Sequence, residues 1–192
     1  MPLRTSSGAL CSVFSFAAVA LAALPAASFA IDMASIEKDV AADMQAKIGP
    51  SIIAAIKAQN TEHAALDAAG ITKLDNQWKA ETSATDKPLI NKVLNNATSA
   101  ELKKIMSTSG GKYVEIFVMD NKGLNVGQTG ITSDYWQGDE PKFTGVFPKV
   151  GATTSTAPEF DESAQAFVAE VNGTIAEGST AIGTYTVKIS AE

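Results

Sequence analysis

"KYVEIFVMDNKGLNVGQTG", Lys112 to Gly130, decides the fold. Its opening run is dense in β-branched and aromatic residues, which suit a pleated, half-buried surface. Asn121, Lys122 and Gly123 then place a turn signal between two apolar runs, the pattern of a β-hairpin. Towards the C-terminus three more strand candidates follow: "FTGVF" (Phe143–Phe147), "AQAFVAEVNGTI" (Ala164–Ile175) and "TAIGTYTVKIS" (Thr180–Ser190). The last two are joined across "AEGS" (Ala176–Ser179), so an antiparallel sheet of roughly five strands is expected.

Upstream of the hairpin the texture is helical. Ile36, Val40, Met44, Ile48, Ile52 and Ile56 recur every fourth residue, with Ala at many positions between them. Gly49-Pro50 interrupts this seam, because Pro removes a helix hydrogen bond. Two readings stay open: two packed helices, or one long N-terminal stalk helix. Gln59 to Glu81 continues helical, with Leu66, Ile71, Leu74 and Trp78 apolar and Gly70 as the expected break. Pro88 suits a first helical turn behind Asp86. "TSAELKKIM" offers Thr98 or Ser99 as a cap with Glu101 behind it, and Ser109–Gly111 ends the segment. Helices first and strands second make an α+β protein, a long N-terminal helix and short helices packed on the sheet. Residues 31–111 are expected to be mainly helical and residues 112–192 mainly sheet, in one domain.

The first 30 residues read as a secretory signal peptide. Arg4 supplies a positive start, Leu10–Leu24 an apolar stretch, and Ser28–Ala30 a small-residue cleavage site before Ile31. The product is expected in the periplasm or outside the cell. Cys11 and Arg4 fall in this segment, so the remaining chain has neither Cys nor Arg. Of the fifteen basic residues fourteen are Lys, against 21 Asp and Glu, a balance of about −7 beyond residue 30. That balance excludes nucleic acid as a natural partner. With one His and no Cys, most zinc, haem and triad chemistry is excluded too.

Single motifs fail on their context. His63 sits among Ala and Glu on a helical stretch and reads as a solvated helix face. "SGGK" (Ser109–Lys112) has two glycines where a catalytic Ser-x-x-Lys needs a helix. Asp120, Asn121 and Asn125 miss the calcium-loop spacing. Asp134, Asp139, Glu140, Asp161 and Glu162 are acidic residues in loops, and hydrolysis would need two of them opposed across a cleft. No catalytic residue, metal site or cofactor is expected, and the chain reads as a non-enzyme.

"SDYWQGDEPKF" (Ser133–Phe143) stands out, because Tyr135 and Trp136 follow neither a strand nor a helix period. Two large rings in a loop either wall a small pocket or plug the open end of the sheet as a core lid. "PEFDES" (Pro158–Ser163) brings a second aromatic–acid pair.

The strand–"DNKG"–strand hairpin, the "DYW" loop, the "P-x-F-D" loop and the terminal hairpin ending "IGTYTVKIS" together resemble the extracytoplasmic Cache sensor domain. This is the PAS-like module of bacterial chemoreceptors and histidine kinases. Lys112–Ser190 carries the resemblance, Met33–Ala58 matches the family's long N-terminal helix, and "LDNQW" (Leu74–Trp78) its pre-sheet helix. The resemblance implies a PAS-like sheet and ligand sensing, with an organic acid, amino acid or similar metabolite held between the sheet and its loops. Tyr135 and Trp136 would line the pocket, Asp161 would face a ligand amine or hydroxyl, and Phe117 would form the floor. Family members often grip carboxylates with Arg, so Lys142, Lys149 or backbone N–H groups would have to serve here. A membrane histidine kinase or chemoreceptor is the implied partner, with pairing of two copies along the N-terminal helix a further expectation. The second reading is a non-catalytic interaction module with a filled pocket, making its contacts through that helix.

Overall fold

The computed structural model describes residues 32–161 and 165–191. The expected signal peptide and its cleavage site, together with Glu162 of the acidic loop, lie outside the described residues. Among the described residues no helix is long and apolar enough to cross a membrane.

The N-terminal seam is two helices, α1 (Met33–Lys47) and α2 (Pro50–Glu62). Ile48 turns extended, and Gly49 caps α2 with Pro50 in its first turn, where a missing N–H costs nothing. Val40, Met44, Ile52 and Ile56 are fully buried, and Ile36 and Ile48 pack beside them in the main core. The seam that could have paired two copies is therefore spent on the protein's own sheet. Helix α3 (Ala68–Ser83) starts later than expected, because the Asp67 carboxylate caps it by accepting from the Gly70 N–H at 2.8 Å. The break falls at residues 63–67, and Gly70 lies inside the first turn of α3. Helix α4 (Pro88–Leu94) follows, then α5 (Ala97–Ser107). The cap of α5 is Asn96, a few residues ahead of the expected Thr98 or Ser99, and both of those are buried.

The hairpin forms as read, with β1 (Tyr113–Met119) antiparallel to β2 (Asn125–Gln128). "FTGVF" is not a strand. Pro141–Thr144 forms one helical turn, α6, and Phe143 and Phe147 stack at 4.9 Å as a small apolar cluster with Phe117 and Met119. Two short strands that the sequence hid among its loops, β3 (Thr153–Ser155) and β4 (Glu159–Asp161), pair in turn with the long β5 (Ala166–Glu177). Strand β6 (Thr180–Ser190) returns beside β5 through a turn at Gly178. The sheet has six strands in the order β2-β1-β6-β5-β3, with β4 also on β5.

The two faces of the sheet differ in chemistry. Helices α1, α2 and α5 cover Tyr185, Val187 and Ile189 of β6 and Ala169, Val171 and Ile175 of β5. The alternate residues point the other way, as the period of a strand dictates. They are Thr184, Thr186 and Lys188 on β6 and Glu170 and Asn172 on β5. On β1 an irregularity between Tyr113 and Glu115 changes the phase, so Tyr113 joins the helix-side core while Glu115 and Phe117 face the loops.

His63 is where the sequence reading fails outright. It caps the C-terminus of α2, is 7% exposed, and its Nδ1 lies 2.8 Å from the fully buried Asp120 carboxylate. Asp120 opens the hairpin turn and also accepts from Gln59 Nε2 and from the N–H groups of Lys122 and Leu124. Gly123 completes that turn at φ +84, where a Cβ would stand 2.4 Å from the Gly138 Cα. A solvated helix face would leave this carboxylate short of one of its donors.

Candidate functional site

The polar face of the sheet is covered, not solvated. Thr184 and Thr186 are fully buried and Asn172 is 2% exposed. Thr186 satisfies its hydroxyl by donating to Asn172 Oδ1 at 2.8 Å. The cover is the segment from Thr129 through α6 to β3, and it does not close completely. Between it and the sheet lies a hollow of about 230 Å³, lined by Glu115, Phe117, Gln137, Lys142, Asp161 and Lys188, among others. A second hollow of about 500 Å³ continues past Lys142 and Asp161 towards Glu170, Asn172 and Phe160.

Acid and base alternate around this space. Lys188 Nζ lies 2.8 Å from both Glu115 Oε2 and Asp161 Oδ2. Burial of the Lys188 ammonium works against its charge, but Glu115 and Asp161 outweigh burial and hold its pKa well above the usual lysine range. Lys142 sits between Glu140 at 3.2 Å and Glu170 at 3.3 Å, and its ammonium stands 5.6 Å from the Phe117 ring centre. Such a ring presents a negative face to a cation. The arrangement offers a ligand the Lys142 and Lys188 ammonium groups, the Glu115 and Asp161 carboxylates, the Gln137 amide and an aromatic floor.

Of the residues singled out from sequence, Phe117, Lys142 and Asp161 come together at this hollow. Tyr135 and Trp136 do not line it. Tyr135 is 4% exposed and belongs to a second core with Trp78, Leu89, Ile90, Val93 and Leu124, against which Trp136 packs. The physical reason is an anchor in α3. Asp75 Oδ1 accepts from the N–H groups of Tyr135 and Trp136 at 3.0 and 3.1 Å, and Lys79 bridges Asp75 to Asp134 at 2.7 Å each. These bonds draw the loop onto the helices and turn both rings into the core-lid role. Trp136 Nε1 is then satisfied by the Lys122 carbonyl at 2.8 Å. Lys149 lines neither hollow.

Glu115, Lys188 and Gln137 were missed. A signal existed for Lys188: in "TYTVKI" it shares the phase of Thr184 and Thr186, a polar row inside an apolar strand. Asp75 had one as well, standing three residues before Trp78 on the same helical face.

No protein-family model matches the sequence, and no curated protein matches it. Among solved structures, the sensory domain of the Campylobacter jejuni chemoreceptor Tlp3 (CcmL) is 10% identical, with a TM-score of 0.41 over 82% of this chain and 62% of that one. The ligand-binding domain of the same receptor in complex with L-valine gives 10%, 0.39, 82% and 61%. The sensor domain of the V. cholerae histidine kinase DctB gives 10%, 0.40, 82% and 57%. The chain thus spans less than two thirds of each of these structures. Its structural neighbours include sensory domains of a chemoreceptor and of a histidine kinase.

Proposed function

We propose that the chain is an exported sensor domain that binds a small zwitterionic or acidic metabolite, an amino acid in the first instance, in the hollow under the Thr129–Thr153 segment. The observation that carries this reading is the convergence of Phe117, Lys142 and Asp161 on one hollow where ammonium and carboxylate groups alternate. In this reading Asp161 and Glu115 accept from a ligand amine, and Lys142 and Lys188 donate to its carboxylate. Phe117 floors the apolar part. Tyr135 and Trp136 serve indirectly, pinning the loop so that Gln137 and Lys142 overhang the sheet. The bound state would be presented to a membrane histidine kinase or chemoreceptor. A pair of copies would have to meet on the outer face of α1, since the inner seam is buried.

The test is thermal. A panel of amino acids and organic acids is added to the protein, and a saturable rise in melting temperature is expected for at least one compound. Loss of that rise in Asp161→Ala and Lys142→Ala supports the assignment; a rise that both variants keep removes it. The second reading, a non-catalytic interaction module, draws on the burial of the two rings in a packed core. It expects no response from any compound.

A further inference from the structure

A different cavity lies on the helix-covered face of the sheet, at the joint between α1 and α2. Its volume is about 440 Å³, within the range of small-molecule sites. Gln45 and Ile48 come from the α1 side of the joint and Ile53 from α2, Val150 from the turn before β3, and Ile175 and Tyr185 from β5 and β6. None of the side chains lining it carries a charge. The loop-side hollow, by contrast, brings Glu115, Lys142, Asp161 and Lys188 to one space.

One polar group is buried and directed into this cavity. Tyr185 is 4% exposed. Its ring lies across Gly173, where a Cβ would stand 2.2 Å from the hydroxyl oxygen, so only glycine leaves the ring its slot. Gly173 pairs with Thr153 of β3, and Thr153 is itself on the cavity wall, which fixes the direction of the hydroxyl. No hydrogen-bond partner stands against this hydroxyl among the described residues. The hydroxyl oxygen is open to the cavity, not sealed in protein, so it is free to hydrogen-bond with whatever occupies that space. Burial, reinforced by the negative charge of Glu37, pushes the Tyr185 phenol up to about 12, so it is present as a neutral hydroxyl.

We propose that this cavity is a second ligand site, taking a small, uncharged, mostly apolar molecule with one hydroxyl or carbonyl that hydrogen-bonds to Tyr185. An ionised ligand would lose its hydration against walls that offer no countercharge. An occupant would touch α1 through Gln45 and α2 through Ile53, and so bridge the break at Gly49-Pro50. The site is separate from the loop-side hollow, and neither depends on the other.

The experiment titrates the ¹⁵N-labelled full chain with 4-methylphenol, toluene and 4-methylbenzoate and follows amide shifts. 4-Methylphenol is expected to give saturable shifts at Gly151, Ala152, Thr174 and Gly178, while Phe117 and Gln137 stay still. Toluene should bind about tenfold more weakly for want of the hydrogen bond, and 4-methylbenzoate not measurably. Tyr185→Phe keeps the ring and should bring 4-methylphenol down to the level of toluene. Val150→Lys, at a half-exposed wall position, should abolish binding of both neutral probes. The proposal is overturned by an absence of saturable shifts at these amides or by equal affinity for the benzoate. A preference for 4-methylphenol that survives Tyr185→Phe overturns it too.

Discussion

The ring of Tyr135 stacks on the ring of Trp78, with centroids 5.4 Å apart and planes within 20° of parallel. One ring comes from the loop over the sheet and the other from the middle of α3. Trp78 also donates from Nε1 to the Thr132 carbonyl at 2.8 Å. This contact holds the cover of the loop-side hollow to the helical half of the protein.

Trp78→Ala and Tyr135→Ala should each cost about 3–5 kcal/mol, the range for deleting a large buried aromatic. Trp136→Ala should cost less, because that side chain is only partly buried. Chemical denaturation with urea measures all three. A loss below about 1 kcal/mol for Tyr135→Ala would mean that the loop does not depend on the stack.

Ligand binding at the loop-side hollow should raise the melting temperature by roughly 5–10 °C at a hundredfold excess over the dissociation constant, for a domain of this size. Asp161→Ala and Lys142→Ala should remove that rise while leaving the apo protein folded, since both side chains border the hollow. Calorimetric titration of the responding compound provides the independent measurement.

Asp120→Ala should be strongly destabilising, by about 3 kcal/mol or more. It strands His63, Gln59 and two backbone N–H groups in a buried turn. His63→Ala removes one of these donors and should cost distinctly less. Equilibrium unfolding of the two variants distinguishes this order from its reverse, which would mean that His63 packs there for its bulk alone.

All three tyrosines, Tyr113, Tyr135 and Tyr185, have phenols raised above the ordinary value of 10.0, first by burial and then by nearby carboxylates: Asp43 for Tyr113, Asp120 and Glu62 for Tyr135, and Glu37 for Tyr185. A raised folded value contributes stability that is fully present below the unfolded value of 10.0. That stability is lost as the pH climbs from there through the folded values, about 12 for Tyr185. Stability should therefore fall steeply above about pH 10. Phenolate absorbance should rise together with the loss of near-ultraviolet dichroism, in one transition. A separate phenolate step before unfolding would show a tyrosine open to water.

Much of the architecture was legible because it rests on local periodicity. The fourfold spacing from Ile36 to Ile56 marked a helix face, the residues of "YVEIFVM" and "TYTVKIS" marked strands, and "DNKG" marked their turn. Short-range signals failed where a distant residue decided. "FTGVF" carries strand-forming residues, yet Phe143 and Phe147 stack with each other over Phe117 and take a helical turn. Three residues of "TTS" and three of "EFD" have too little pattern of their own to announce a strand, and become strands only because β5 is long enough to pair with both.

The site divides along the same line. Phe117, Asp161 and Lys142 were named on the family resemblance, and the structure brings the three to one hollow. Lys188 had a signal in the polar row of its strand, whereas Glu115 needed the register of β1 against β6, and Tyr135 and Trp136 needed Asp75, sixty residues upstream. By itself the sequence determined the helical half, the hairpins and the charge of the chain, because these depend on neighbours within a few residues. Which aromatic rings fill a core and which border a hollow was decided only by the tertiary structure, because that choice belongs to hydrogen bonds made across the whole length of the chain.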